Sequence, residues 1–346
     1  MSQPTHQETQ QATHQGSHQA ILMTEYGAPE VLKIATVASA PLQAGQVRVQ
    51  HTRIGVNFHD VYVRSGLYKT LALPGTPGIE AVGVVAEVAE GVSRFKVGDR
   101  VCYISAAYGI YAAERVIAAD ELIAVPDDLS DALVASSLLR GLTADVLLNR
   151  IGKVGAGTKI LVQAAGGGMG QILSQWATRK GAMVIGTAGS DATAKKAEQV
   201  GCVEVIRYRG AGAKNAQEVA ERVRELTQGE GVDVAYDAVG KISFDTSLAS
   251  LSIGGQLVMY GQSSGAVPPL DIARLAAKSN SVSRPMVFHF VKKPAQRDAM
   301  AARVFEALRK HDFRMGEPLE FALVDAAAAH RELEARGAVQ PILLVP

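Results

Sequence analysis

The stretch Lys159–Ala182, KILVQAAGGGMGQILSQWATRKGA, passes from a short apolar run through a cluster of small residues into a helical pattern. A strict GxGxxG fails there, because Gly166 and Gly168 are followed at the required offset by Gln171. The spacing that fits is Ala164-x-x-Gly167-x-x-Gly170, equivalently Ala165-x-Gly167-x-x-Gly170, with alanine in place of the first glycine and with Gly168 and Met169 between the last two. Small residues let the turn close tightly and let backbone approach a pyrophosphate, whose charge the amides at a helix N-terminus stabilise. The pattern predicts a dinucleotide seat; the alternative is a tight turn with no ligand.

Which dinucleotide is settled at the end of the next strand, where a carboxylate accepting the ribose hydroxyls favours the cofactor without a 2′-phosphate. Here MVIGTAGS ends in Thr187, Ala188, Gly189 and Ser190, with no carboxylate before Asp191. Ser190 offers a donor, Lys195 and Lys196 follow a helical turn later, and Tyr208 with Arg209 ends the strand after that. Donors and positive charge suit a 2′-phosphate, so NADPH is the expected cofactor. The alternative is a solvated helix carrying scattered basic residues.

Such a seat needs a parallel sheet under it. From Lys159 onward short apolar runs (Ile160–Val162, Met183–Gly186, Glu204–Ile206, Val232–Tyr236, Gln256–Tyr260) alternate with amphipathic stretches, which predicts βαβ units. Residues 21 to about 125 read instead as strands with short, turn-rich connections. Past about Ser279 the pattern is mixed and ends in the apolar PILLVP. With 346 residues the chain exceeds the usual size of a single core. The simplest account is a disordered polar tail over 1–20, a catalytic domain over 21–140, an inserted cofactor domain over 141–278, and a segment 279–346 that returns to complete the first domain. The expected tail is rich in Gln, Thr, Ser and His, including His6, His14 and His18, with almost nothing to bury.

Composition narrows the function. Thirty-five basic residues nearly cancel 34 acidic ones, and a net charge of +1 gives no footprint for nucleic acid or an anionic membrane. No apolar run reaches the ~20 residues of a membrane span, and the polar N-terminus lacks the core of a secretory signal, so the cytoplasm is the expected address. Cys102 and Cys202, far apart, support neither a disulfide framework nor a thiolate zinc cluster.

Several stretches taken in order resemble one family: GVNFHDVYVRSGLYK (Gly55–Lys69), PGIEAVGVVAEVAEGVSRFKVGDRVCY (Pro77–Tyr103), GLTADVLL (Gly141–Leu148), the Gly-rich turn, VDVAYDAVG (Val232–Gly240), YGQSSG (Tyr260–Gly265) and SRPMVFHF (Ser283–Phe290). They are similar to the zinc-independent quinone oxidoreductases of the medium-chain dehydrogenase/reductase superfamily, which includes zeta-crystallin. The likeness runs from about Ile21 to the C-terminus. It implies an α/β fold in which a GroES-like β-rich catalytic domain carries an inserted Rossmann domain, a doubly wound parallel sheet, with NADPH across the cleft, and a homodimer formed through the edge of the Rossmann sheet. Zinc relatives carry Cys and His ligands where this chain has Asn57 and Ile79, so no metal is expected.

By the same resemblance Gly261, Gln262, Ser263 and Ser264 flank the nicotinamide, Thr143 joins the cofactor site, and Asn57, Tyr62, Tyr68 and Arg284 line the acceptor pocket. An amide, a phenol or a guanidinium there would stabilise charge on the acceptor oxygen, with Tyr62 supplying a proton. The bland alternatives are structural: Asn57 bonded to buried backbone, Tyr62 and Tyr68 as core aromatics, Arg284 paired with a carboxylate. Arg64 and Lys69 are expected in solvent. The chain departs from the family pattern at His59, where an aliphatic residue is usual and a surface-facing side chain is expected here, at Gly166, at Gln262 and in GAVQP (Gly337–Pro341). The expected partner is a small-molecule acceptor: a quinone first, the C=C bond of an α,β-unsaturated carbonyl second. The reading from another class is a cofactor-binding protein without turnover.

Overall fold

The computed structural model describes residues 16–207, 213–335 and 340–346. Alternating burial pairs strand β1 (Ser17–Leu22) with β2 (Lys33–Ala38) in an antiparallel ribbon. Part of the expected tail therefore belongs to the fold. Ser17 to Ala20 face Ala38 to Ala35, and Ala20 is buried, so ladder hydrogen bonds and burial offset the ordering entropy. His18 sits 3.2 Å from Ser39 Oγ and 3.4 Å from Glu114. His6 and His14 lie outside the described residues.

The spine of the first domain is β3 (Gln46–Val56), which pairs antiparallel with β4 (Glu80–Val88) and, further out, β6 (Glu114–Ala118). Next to β4 lies β5 (Arg100–Ile104), which pairs in turn with β7 (Ile123–Ala124). Helix α1 (Phe58–Arg64) leaves β3 at once, with Asn57 as its N-cap in extended conformation. Helix α2 (Asp131–Asp145), capped by Ser130 through the Leu133 amide, is buried along most of its length against β4 and β5.

The second sheet comprises β8 (Lys159–Val162), β9 (Met183–Ala188), β10 (Glu204–Arg207), β11 (Val232–Asp237), β12 (Leu251–Met259) and β13 (Ser281–Ser283), all parallel. Helices α3 (Gly168–Arg179), α4 (Asp191–Glu198), α5 (Ala213–Leu226) and α6 (Phe244–Ala249) connect them. Ile160, Leu161 and Val162 are fully buried because helices cover both faces of the sheet, which explains an apolar run without alternation. The order β10-β9-β8-β11-β12-β13 reverses direction between β8 and β11, the switch point where doubly wound sheets hold ligands beyond their carboxyl ends. The sheet reaches Ser283, past the boundary at 278 expected from sequence.

After α7 (Val287–Phe290) and α8 (Pro294–Arg309) the chain returns to the first domain. There β14 (Leu319–Ala322) runs parallel to β15 (Ile342–Val345), which closes onto β3; α9 (Ala326–Glu334) lies between them in sequence. Helix α8 packs on α2, where Arg303 grips the fully buried Asp145 with two 2.7 Å hydrogen bonds. The structure is thus a β-rich domain interrupted by a doubly wound parallel sheet.

Candidate active site

A cavity of ≈ 310 Å³ opens where the switch point faces α1 and the chain around Arg284. On its cofactor side the turn after β8 is held from below. The Ala164 and Ala165 amides donate to Thr187, Thr187 Oγ1 donates to Gln163 Oε1 at 2.6 Å, and Gln163 Nε2 donates to Ser247 Oγ at 3.0 Å. Ser247 reaches Asp237, whose buried carboxylate also accepts from Ser243 and from the Val239 and Gly240 amides. Every one of these groups is satisfied, so the two loops flanking the switch point are fixed relative to each other.

The glycines of the turn divide into two kinds. A Cβ on Gly170 would strike Ala164 O and lie 2.7 Å from Ala165 Cα, and one on Gly166 would strike Thr193 O, so these two permit packing. Gly168 faces the cavity, and a Cβ there would meet nothing nearer than Arg140 Nε at 3.9 Å. Ala164 has φ +52°, a left-handed conformation in which glycine would be at ease. The N-cap of α3 is Gly167, and no side chain caps it. First-turn amides have no intrahelical acceptor, so those of Gly168, Met169 and Gly170 present a positive, uncapped helix end at a cavity wall that all three help to form, which fits a pyrophosphate.

The remaining cofactor candidates fall unevenly. Thr143 lines the cavity while its hydroxyl donates back to Leu139 O. Gly261 and Ser263 line it too. Gln262 and Ser264 hold the loop: Ser264 Oγ donates to Val239 O at 2.6 Å, and Gln262 Oε1 accepts from Arg284. Gly189 and Ser190 follow β9 on the exposed surface, outside the cavity wall; Ser190 caps α4. Lys195 is exposed and forms no ion pair among the described residues. Tyr208 lies outside the described residues, as does Gly337–Val339 of the C-terminal loop. Arg207, level with Ala188 in the ladder, pairs with Asp191 at 3.4 Å and Glu198 at 3.0 Å, so the nearest carboxylate to the end of β9 is already matched.

On the acceptor side Asn57 is buried, and its Nδ2 donates to Glu80 Oε1 at 2.7 Å, a carboxylate rather than the backbone. Glu80 also accepts the Leu139 amide; burial pushes its pKa up, while the Arg140 guanidinium and Asn57 oppose the rise. Arg140, in the cavity wall, donates to Ser136 O and Val56 O, joining α2 to the end of β3. Beneath Asn57, Asp60 accepts the Asn57 amide at 2.8 Å, and burial pushes its pKa up to about 7.

Tyr62 and Tyr68 pack edge to face at 5.1 Å. Burial pushes the Tyr62 phenol up to about 12, with Tyr68 adding to the rise. Arg284 has no carboxylate partner among the described residues; it donates to Tyr68 OH at 3.0 Å and Gln262 Oε1 at 3.1 Å. These contacts bring Tyr62, Tyr68, Arg284 and the loop at Gly261 to the wall of one cavity, which Asn57 also lines. Two expectations fail here. His59 is in the cavity wall, not on the surface, because it shares a helix face with Tyr62. Arg64 is buried, not solvated: its guanidinium forms two hydrogen bonds with Glu334, and it also bonds the Gly27 carbonyl. Lys69 is exposed, as expected.

Among the described residues no group of three or more His, Cys, Asp or Glu stands together as a metal site, and no helix is long and apolar enough to cross a membrane. This geometry has close counterparts. A quinone oxidoreductase from Pseudomonas aeruginosa is 38% identical over 327 residues, 94% of this chain and 99% of that one. The chain belongs to the quinone oxidoreductase family of the medium-chain dehydrogenases/reductases.

As in that family, its β-rich part matches the alcohol dehydrogenase GroES-like domain over residues 43–127, and its parallel sheet matches the zinc-binding dehydrogenase domain over 168–304. The inserted sheet is therefore a Rossmann domain in a GroES-like host. A 2-haloacrylate reductase from Burkholderia is 36% identical, over 94% of this chain and 98% of its own. A native mycobacterial protein solved with NADPH superposes with a TM-score of 0.88 at 40% identity, over 95% of this chain and 100% of that one. Within this quinone oxidoreductase-family cleft, Arg140, Gln163, Phe58, Met286 and Phe288 line the cavity without having been singled out from sequence. Arg140 and Gln163 had a legible signal, since each sits beside a quoted motif, one residue before GLTADVLL and one before Ala164. The apolar three had none, because periodicity does not separate a cavity wall from a core.

Proposed function

We propose that the chain is a metal-free, NADPH-dependent reductase that delivers hydride to a quinone in the cleft between its two domains. One observation carries this reading: the uncapped N-terminus of α3 opens into the same cavity as Asn57, Tyr62, Tyr68 and Arg284. The relative solved with NADPH supports the cofactor, and the absence of a carboxylate before Asp191 supports the phosphorylated form. NADPH supplies the hydride. The protein's part is to hold the acceptor flat against aromatic walls, exclude water, and stabilise charge on the acceptor oxygen. Arg284, positioned by Tyr68 and Gln262, offers a fixed positive charge for that oxygen. Tyr62 keeps its proton at neutral pH and acts as a hydrogen-bond donor to it.

The donor chemistry supports the metal-free reading, because Ile79 has no ligating atom and Asn57 offers a neutral amide where zinc sites use thiolate or imidazole. A second reading, reduction of an activated C=C bond, is favoured by the 2-haloacrylate reductase relative. Loss of nicotinamide absorbance with a small quinone and a small enone, in NADPH and in NADH, tests all of this. Faster turnover with quinone and NADPH supports the proposal. Binding of NADPH without oxidation by either acceptor defeats it. A homodimer through the β13 edge is part of the proposal, supported by the exposed Ile253 and Ile272 near that edge and tested by light scattering.

A further inference from the structure

We propose that His59 binds a second oxygen of the acceptor and makes the site selective for molecules with two oxygen functions, such as the far carbonyl of a quinone, over enones with one. This rests on the reading that the cleft reduces such acceptors. His59 is one turn before Tyr62 on α1, so both side chains face the cavity. Its ring is boxed by Tyr68 at 5.6 Å and Phe288 at 6.0 Å, both edge on, and by Tyr108, stacked at 6.0 Å.

One nitrogen is committed. Nε2 lies 3.2 Å from Tyr108 OH, which also bonds Thr70 Oγ1, so the ring cannot rotate freely. Nδ1 has no hydrogen-bond partner among the described residues and is not sealed from open space. Burial lowers the His59 pKa to about 4, so the imidazole is neutral at physiological pH. When Thr70 donates to Tyr108 and Tyr108 donates to Nε2, the remaining proton sits on Nδ1, and an acceptor oxygen selects that arrangement. Arg284 lines the same cavity and donates to the Tyr68 hydroxyl. Two oxygen-seeking groups thus line one aromatic-walled cavity, Arg284 tied to Gln262 beside Gly261 and His59 held by Tyr108. A quinone presents an oxygen to each. A mono-enone presents only one, and leaves Nδ1 unpaired.

The experiment compares kcat/KM for 1,4-benzoquinone and for 2-cyclohexenone in the full chain with NADPH. His59→Leu is expected to lower the quinone-to-enone ratio about tenfold, the loss of one buried hydrogen bond. His59→Asn, which keeps an amide near Nδ1, is expected to recover at least about half of the wild-type ratio. Should the leucine variant not fold, Tyr108→Phe reads the same coupling and is expected to lower the ratio about threefold. A ratio unchanged in an active His59→Leu or Tyr108→Phe variant, or an asparagine variant no better than leucine, overturns the role of His59 alone. Wild-type protein that oxidises NADPH with neither acceptor overturns this role and the proposed function together.

Discussion

A single added methyl in the Gly-rich turn should have opposite effects two residues apart. At Gly170 a Cβ would collide with Ala164 O and approach Ala165 Cα to 2.7 Å, about 1 Å inside normal contact, and both obstacles are backbone. The turn must shift, at a cost of about 1–3 kcal/mol for overpacking. At Gly168 the same methyl meets only Arg140 Nε at 3.9 Å, so Gly168→Ala should keep or slightly raise stability, by at most about 0.5 kcal/mol at a helix start. It does fill space above the first-turn amides. Separating them from a pyrophosphate weakens one or two charge-assisted hydrogen bonds, which corresponds to a roughly tenfold to hundredfold rise in the Kd for NADPH. Urea unfolding paired with fluorescence titration separates the two effects. A Gly168→Ala variant that is fully stable yet binds NADPH as tightly as wild type would refute the assignment of this helix end to the cofactor.

Asp237→Asn places an amide NH2 among donors and should cost about 2–4 kcal/mol, read as a lowered urea midpoint, because a buried carboxylate accepting from two serines and two amides becomes mismatched. The raised pKa of Asp60 carries a sign: its contribution to stability is full below the ordinary carboxylate range and is lost as pH rises toward about 7. The stability of Asp60→Asn relative to wild type should therefore climb by about 2–3 kcal/mol between about pH 5 and pH 8, and a pH-independent difference would contradict it. Lys195→Ala should raise the Kd for NADPH about threefold to tenfold and leave that for NADH unchanged; equal changes would remove Lys195 from the phosphate site.

Elements whose period is set by burial were legible in the sequence. The runs at Ile160, Val184 and Val234 announced a parallel sheet because each is covered on both faces. Ser17–Ala20 was hidden because only Ala20 among these four is buried, and pairing with a strand thirteen or more residues away leaves no local trace. At the site, Asn57, Tyr62, Tyr68 and Arg284 come from segments more than 200 residues apart, and a family likeness drew them together where spacing could not. For Gln262 and Ser264, which the likeness places at the cofactor, the structure adds hydrogen bonds to Arg284 and to Val239 that hold the loop. The partners of Asn57 and Arg64, Glu80 and Glu334, were invisible because a buried polar contact is set by tertiary geometry.

The most direct test of a reductase that works through NADPH without metal is turnover of chelator-treated protein. Material stripped of metal is expected to bind NADPH and to oxidise it with 1,4-benzoquinone at the untreated rate. Activity that disappears on chelation and returns with stoichiometric zinc, or protein with no affinity for NADPH at all, would contradict it.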